Sequence, residues 1–153
     1  MKIIPVREVM VRDVAYVTVP GSRDMVLKAL KERHVSGVPV VKGGELVGMV
    51  TRTDLLRNPE EDQTALLMTR DPLVVSPDDS IIEAARLLAE NDIRRLPVVE
   101  DGSLVGIVSV ADVIRVVSEL DIKRQIERYF EKATVALWDE MPLPVAGAVM
   151  EYA

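Results

Sequence analysis

"VSGVPVVKGGELVGMVTRTDL" (Val35–Leu55) and "IRRLPVVEDGSLVGIVSVADV" (Ile93–Val113) are two versions of one sentence. Aligned without a gap, 9 of their 21 positions are identical. Gly44, Gly48, Thr51 and Asp54 return 58 residues later as Gly102, Gly106, Ser109 and Asp112. Self-similarity at a fixed period marks one structural unit built twice, and it has to be read before any local propensity. The likeness extends upstream. "VTVP" (Val17–Pro20) matches "VVSP" (Val74–Pro77) at an offset of 57, which puts the one-residue difference in the helix that follows. Further back, "VMVRD" (Val9–Asp13) resembles "LMTRD" (Leu67–Asp71).

Each copy has the same grammar. A short strand ends at a proline. Helices follow, over Arg23–Arg33 and Ser80–Glu90; in the second, Ile81, Ala84, Ala85 and Leu88 fall on one face, and Asp78, Asp79 and Ser80 supply cap oxygens and negative charge at its start. "VPVV" and "LPVV" read as buried strands with an edge proline. Gly44 and Gly102 suit the turns after them. "ELVGMVT" and "SLVGIVS" are the return strands, and short helices begin near Thr53 and Val110. The unit is β-α-β-β-α. One such unit buries too little surface to be stable alone, so two are expected to share a core. The fold class is therefore α/β: two repeats packed pseudo-symmetrically through their sheets, plus a C-terminal tail. Residues 1–60 form the first repeat and 61–120 the second, with the polar "RNPEEDQT" (Arg57–Thr64) as linker.

Bulk properties narrow the function. The 153 residues are 48% hydrophobic and 29% charged, the balance of a globular domain with a real core. No apolar run approaches the roughly 20 residues that span a bilayer. "MKIIPVREVMVRD" lacks the long apolar stretch of a secretory signal. The absence of cysteine excludes disulfides and thiolate chemistry and permits a cytoplasmic setting, which is the expectation. A net charge of −6 and 3% aromatics speak against nucleic acid as a partner. An anion site would have to be built locally from a few arginines and backbone N–H groups.

The doubled pattern h-P-V-V … G-h-h-[ST]-x-x-D, with "VM" and "LM" marks upstream, resembles the tandem CBS pair, named for cystathionine beta-synthase. The resemblance covers residues 5 to 120. It implies a non-catalytic sensor that binds an adenosine-containing ligand (AMP, ADP, ATP or S-adenosylmethionine) in clefts between the repeats. It also implies disc-like dimers built through helix faces. In the family each cleft borrows the other repeat's strand entrance. The Asp112 site would then take Val35 and Ser36 around the adenine, and the Asp54 site Ile93 and Arg94. Residues near Asp13 and Pro72 would close the base pockets.

The residues themselves offer matching chemistry. A carboxylate at a helix start can accept hydrogen bonds from both ribose hydroxyls, and Asp54 and Asp112 are the candidates. Each can equally cap its helix. Thr51 and Ser109, three residues earlier, can reach a phosphate at the helix start. Thr53 adds a donor that Ala111 cannot. Arg94 and Arg95, before a buried strand, are costly unless paired; a phosphate would pair them, and a surface salt bridge is the alternative. By resemblance, Arg95 stands where the gamma subunit of AMP-activated kinase places a phosphate-binding arginine. Ser36 and Gly37 occupy the matching positions of the first repeat, so the two clefts are not equivalent. Arg95 favours AMP or ATP over S-adenosylmethionine. The lone His34 suffices for no metal site or triad.

Beyond Asp121, Ile122, Ile126 and Phe130 lie at i, i+4 and i+8 of an amphipathic helix with Tyr129 beside them. "TVALWDEMPLPVAGAVMEYA" looks like a third repeat just starting, with a strand over Thr134–Trp138. Residues 121–153 are thus expected to be a helix and the beginning of a truncated repeat, in a fragment of a longer protein. A tail docking across a dimer is the alternative. The sequence as a whole reads as a regulatory adenine-nucleotide sensor, a homodimer, with an unidentified protein partner or missing C-terminal repeats. The alternatives are an oligomerisation module with empty clefts, or a regulatory piece of a protein related to inosine monophosphate dehydrogenase.

Overall fold

The computed structural model describes residues 3–132. The expected third-repeat strand and helix after residue 133 lie outside the described residues, as do the side chains of Ile122, Tyr129 and Phe130. The chain divides into two compact units, Met1–Asp112 and Val113–Ala153. The sheet belongs wholly to the first.

The first repeat comprises β1 (Val17–Thr18), α1 (Arg23–Arg33), β2 (Gly37–Lys42), β3 (Glu45–Thr51) and α2 (Arg52–Arg57). The second opens with α3 (Thr64–Leu67) and β4 (Thr69–Arg70), followed by α4 (Ile81–Glu90), β5 (Arg95–Glu100), β6 (Ser103–Ser109) and α5 (Val110–Lys132). The hairpins β2–β3 and β5–β6 have the same register 58 residues apart, and each slips by one residue at the same place, Val40/Val41 and Val98/Val99. They meet where Glu45 of β3 pairs with Ser103 of β6. The hairpin turns take left-handed backbone at Gly43 and Gly44, and at Asp101 and Gly102. Asp101 is tolerated there because a short polar side chain can bond locally.

The cores follow the pattern of the apolar residues. Val17, Val26, Leu30, Val38, Val40, Val50, Leu55 and Leu67 form one cluster. Val75, Ile81, Ala84, Leu88, Leu96, Val98 and Val108 are buried in the second repeat. Full burial of each large aliphatic side chain contributes roughly 1.5–3 kcal/mol. Pro39 and Pro97 sit inside strands without harm because the neighbouring parallel strand is paired only from Val40 and Val98 onward. Helix α2 ends before Pro59, which cannot continue it. Its counterpart α5 meets no proline and runs on, so the second repeat's closing helix and the expected tail helix are one element of 23 residues.

Three details differ from the sequence reading. Val17 pairs with Val40 as Val75 pairs with Val98, so the structural offset is 58 throughout. Pro20 and Pro77 are therefore not equivalent, and the helix-capping residues Ser22 and Ser80 are. There is no extra residue in the helix. Second, Arg57–Thr64 is not a free linker. Arg23 donates from its guanidinium to the carbonyls of Leu55, Asn58 and Glu61, and Thr64 is fully buried with its hydroxyl on the Ser22 carbonyl.

The third is the path of the segments that lead into each repeat. Val6 N–H donates to the Asp79 carbonyl and Ile81 N–H to the Ile4 carbonyl. Fifty-eight residues on, Thr64 N–H donates to Gly21 and Arg23 N–H to Asp62. Met10–Val11 edges β6, and Thr69 pairs with Met49 of β3. Each leader thus docks on the other repeat. The glycines of the G-h-h-[ST] motif exist for this. A Cβ on Gly48 would stand 2.7 Å from Met68 Sδ and 2.8 Å from the Thr69 carbonyl oxygen; one on Gly106 would stand 2.6 Å from Met10 Sδ.

Candidate functional site

Two clefts open between the repeats, and they are one site built twice. The larger, about 750 Å³, is lined by Met49, Thr51 and Asp54 from the first repeat and by Thr69, Asp71, Pro72, Leu73, Ile93 and Pro97 from the second. The smaller, about 290 Å³, is lined by the residues 58 positions away: Ile107, Ser109 and Asp112 from the second repeat, with Val11, Asp13, Val14, Ala15, Val35 and Pro39 from the first. Small-molecule sites generally occupy some 300–1,000 Å³. The Asp54 cleft lies well inside that range and the Asp112 cleft at its lower edge.

The motif carboxylates start from helix capping. Thr51 N–H and the Thr51 hydroxyl both donate to Asp54 Oδ2, at 2.8 and 3.0 Å, and Asp54 N–H donates back to the hydroxyl oxygen at 3.2 Å. Ser109 and Asp112 repeat this at 2.9, 2.9 and 3.2 Å. These are reciprocal capping boxes. They fix each carboxylate at the cleft wall, and they commit the single proton of each hydroxyl to the Asp. In Asp54 the bonds land on Oδ2 and leave Oδ1 for the cleft. Thr53, exposed at the same rim, carries no such commitment.

Arg94 and Arg95 both line the Asp54 cleft. Among the described residues, neither lies within ion-pair distance of a carboxylate. The salt-bridge alternative is therefore not realised. Arg95 donates one bond, 3.0 Å, to the Gly37 carbonyl. It is half-buried, and that burial, aided by the charge of Arg94, holds its guanidinium below the usual arginine pKa. An arginine stays charged in the folded and the unfolded chain alike at neutral pH, so folding carries an unrelieved charge penalty there.

The other expected residues divide between the clefts. Ile93 and Pro72 line the Asp54 cleft with Arg94; Val35 and Asp13 line the Asp112 cleft. Ser36 was expected beside Val35 but faces the Asp54 cleft. Its carbonyl accepts Arg52 N–H at 2.8 Å, which ties it to the motif of its own repeat. Sequence reasoning missed Arg52, a further cation on the Asp54 cleft, and missed Arg33 on the other. Arg33 grips Asp13 through two bonds, at 3.2 and 3.4 Å, between two residues that line the smaller cleft. Its counterpart Asn91 makes no ion pair. Arg33 closes a helix, where a cation is unremarkable, so no signal in the sequence pointed to it. Asp71 adopts left-handed backbone at the wall of the larger cleft, which its counterpart Asp13 does not.

A site made twice, at the junction of two β-α-β-β-α units, defines a class of tandem-repeat binding modules. The chain belongs to the CBS domain family, whose model matches residues 6–61 and 64–119. It is 38% identical over 107 residues to inosine-5'-monophosphate dehydrogenase of Korarchaeum cryptofilum, covering 67% of this chain and 22% of that enzyme. It is 33% identical over 127 residues to the uncharacterised protein MJ0188 of Methanocaldococcus jannaschii, covering 81% of this chain and 48% of that protein. The chain therefore spans half or less of the length of these curated relatives. Among solved structures, CBSX2 in complex with AMP superposes with a TM-score of 0.72 at 35% identity, covering 76% of this chain and 98% of that one.

Proposed function

We propose that the chain is a regulatory binding module that takes an adenine nucleotide (AMP, ADP or ATP) in the Asp54 cleft. The observation that carries this is a cleft of about 750 Å³ in which Asp54 faces two arginines that have no carboxylate partner among the described residues. Asp54 Oδ1 accepts from the ribose hydroxyls. Arg94 and Arg95 neutralise the phosphate, with Thr53 as a further donor. Ile93, Pro72 and Leu73 enclose the base. The sulfonium of S-adenosylmethionine would meet like charge at the arginines, which favours the nucleotides. That CBSX2 was solved with AMP supports the same class. Thr51 and Ser109 act by holding the carboxylates, their own protons being committed.

The chemistry is binding and not turnover. Both repeats contribute to each cleft, so a ligand that bridges them favours one arrangement of the pair, which a homodimer mate or a protein partner reads. The setting is cytoplasmic; among the described residues no helix is long and apolar enough to cross a membrane. A second reading has an observation of its own. The capping boxes account for both motif aspartates without a ligand, as an oligomerisation module with empty clefts would require. The match to 22% of a dehydrogenase suits a regulatory piece of a larger protein.

Calorimetric titration with AMP, ADP, ATP and S-adenosylmethionine separates these. Loss of the tighter nucleotide-binding step in Asp54→Ala, with that step kept in Asp112→Ala, is the expected result. No heat with any of the four would leave the oligomerisation module.

A further inference from the structure

We propose that the two clefts compete for one guanidinium, so that a phosphate-bearing ligand in one weakens the binding of a second in the other. The proposal rests on the adenine-nucleotide reading of the Asp54 cleft. Of the paired positions that build the clefts, Gly37 and Arg95 alone line both. They are each other's counterparts, 58 residues apart, and touch directly through the bond from Arg95 Nη1 to the Gly37 carbonyl at 3.0 Å. A symmetric pair would bring an arginine from each repeat. Here the first repeat brings none at the shared position, and its glycine is held small: a Cβ would lie 3.1 Å from Thr51 Cγ2 and 3.3 Å from the Val50 carbonyl oxygen.

One half-buried cation therefore stands where two anions would want one each. A guanidinium presents its donors in a rigid planar fork. With one N–H held by Gly37, a bidentate grip on a phosphate in one cleft leaves neither direction nor unneutralised charge for the other. The remaining cations do not restore the balance. Arg94 and Arg52 line the Asp54 cleft only, and the Asp112 cleft's own Arg33 is already engaged by Asp13. The Asp54 cleft fills first. The coupling is reciprocal, since linkage requires each ligand to weaken the other by the same factor.

The test compares AMP with adenosine, which has the same base and ribose and makes no demand on Arg95. Both are titrated into the intact chain and the two stepwise affinities are resolved. The ratio of first to second affinity is expected to be roughly tenfold larger for AMP than for adenosine, within the span of ordinary couplings. In Arg95→Leu the two ratios should converge. Equal ratios for the two ligands in the unaltered chain overturn the proposal and leave the nucleotide reading intact. So does a single equivalent of both ligands, since the second cleft is then closed regardless of charge. A gap that persists or widens in Arg95→Leu overturns it too, because repulsion between the phosphates alone would then explain it. Binding of neither ligand ends both this proposal and the reading beneath it. Should Arg95→Leu bind no AMP, Arg95→Gln, which keeps a donor without the charge, takes its place and is read by the same outcomes.

Discussion

Arg95 carries a cost in the folded chain with no carboxylate among the described residues to offset it. Burial depresses its pKa, and Arg94 adds to the effect. Arg95→Met keeps the aliphatic stem and removes the charge. The expected outcome is a ligand-free melting temperature that holds or rises, together with a large loss of nucleotide affinity; a residue that serves only packing would lose stability instead. Thermal melts beside titrations read both. At this scale much was legible. A doubled Asp after a doubled hydroxyl pointed to Asp54 and Asp112, and two arginines before a buried strand pointed to Arg94 and Arg95. What escaped was pairing between distant side chains. Arg33 and Asp13 meet only because α1 ends beside the first leader, and nothing local in either sequence encodes that.

At the level of elements, the two glycines after β3 and β6 begin are the joints on which the leaders lie. Gly106→Ala drives a Cβ into Met10 and toward the Val11 carbonyl. It should lower stability by about 1–3 kcal/mol, as overpacking does. Met10→Ala in the same chain should recover part of the loss, giving a non-additive cycle in denaturant melts. Strict additivity would mean that the two residues do not touch. Helices and hairpins were readable because their signals are local: the cap at Ser80, apolar spacing in α4, glycine at the turns. The crossing of the leaders was not. Thr69–Arg70 is a strand of two residues, and Met10–Val11 forms a single bridge; neither is long enough to show alternation. The apparent alignment of Pro20 with Pro77 was misleading for a related reason. A shared proline is a more visible mark in a sequence than the strand register that fixes the true offset.

In the whole molecule, crossing leaders and shared clefts have one consequence. Neither repeat owns a site. The Asp54 cleft takes its carboxylate from the first repeat and Arg94, Arg95 and most of its apolar wall from the second; the Asp112 cleft takes its carboxylate from the second repeat and Arg33 and most of its apolar wall from the first. Repeat symmetry makes the two sites equal, and Gly37 opposite Arg95, with Arg33 opposite Asn91, makes them unequal again. The symmetry was plain in the sequence because identity recurs at a fixed period. The inequality was visible at Gly37, and its extent, about 750 against 290 Å³, needed the structure. The most direct test of this account is a crystal structure of the chain grown with AMP. The account predicts nucleotide density in the Asp54 cleft, with the ribose on Asp54 and the phosphate between Arg94 and Arg95. Nucleotide seated elsewhere, or an Asp54 cleft left empty at saturating AMP, would contradict it.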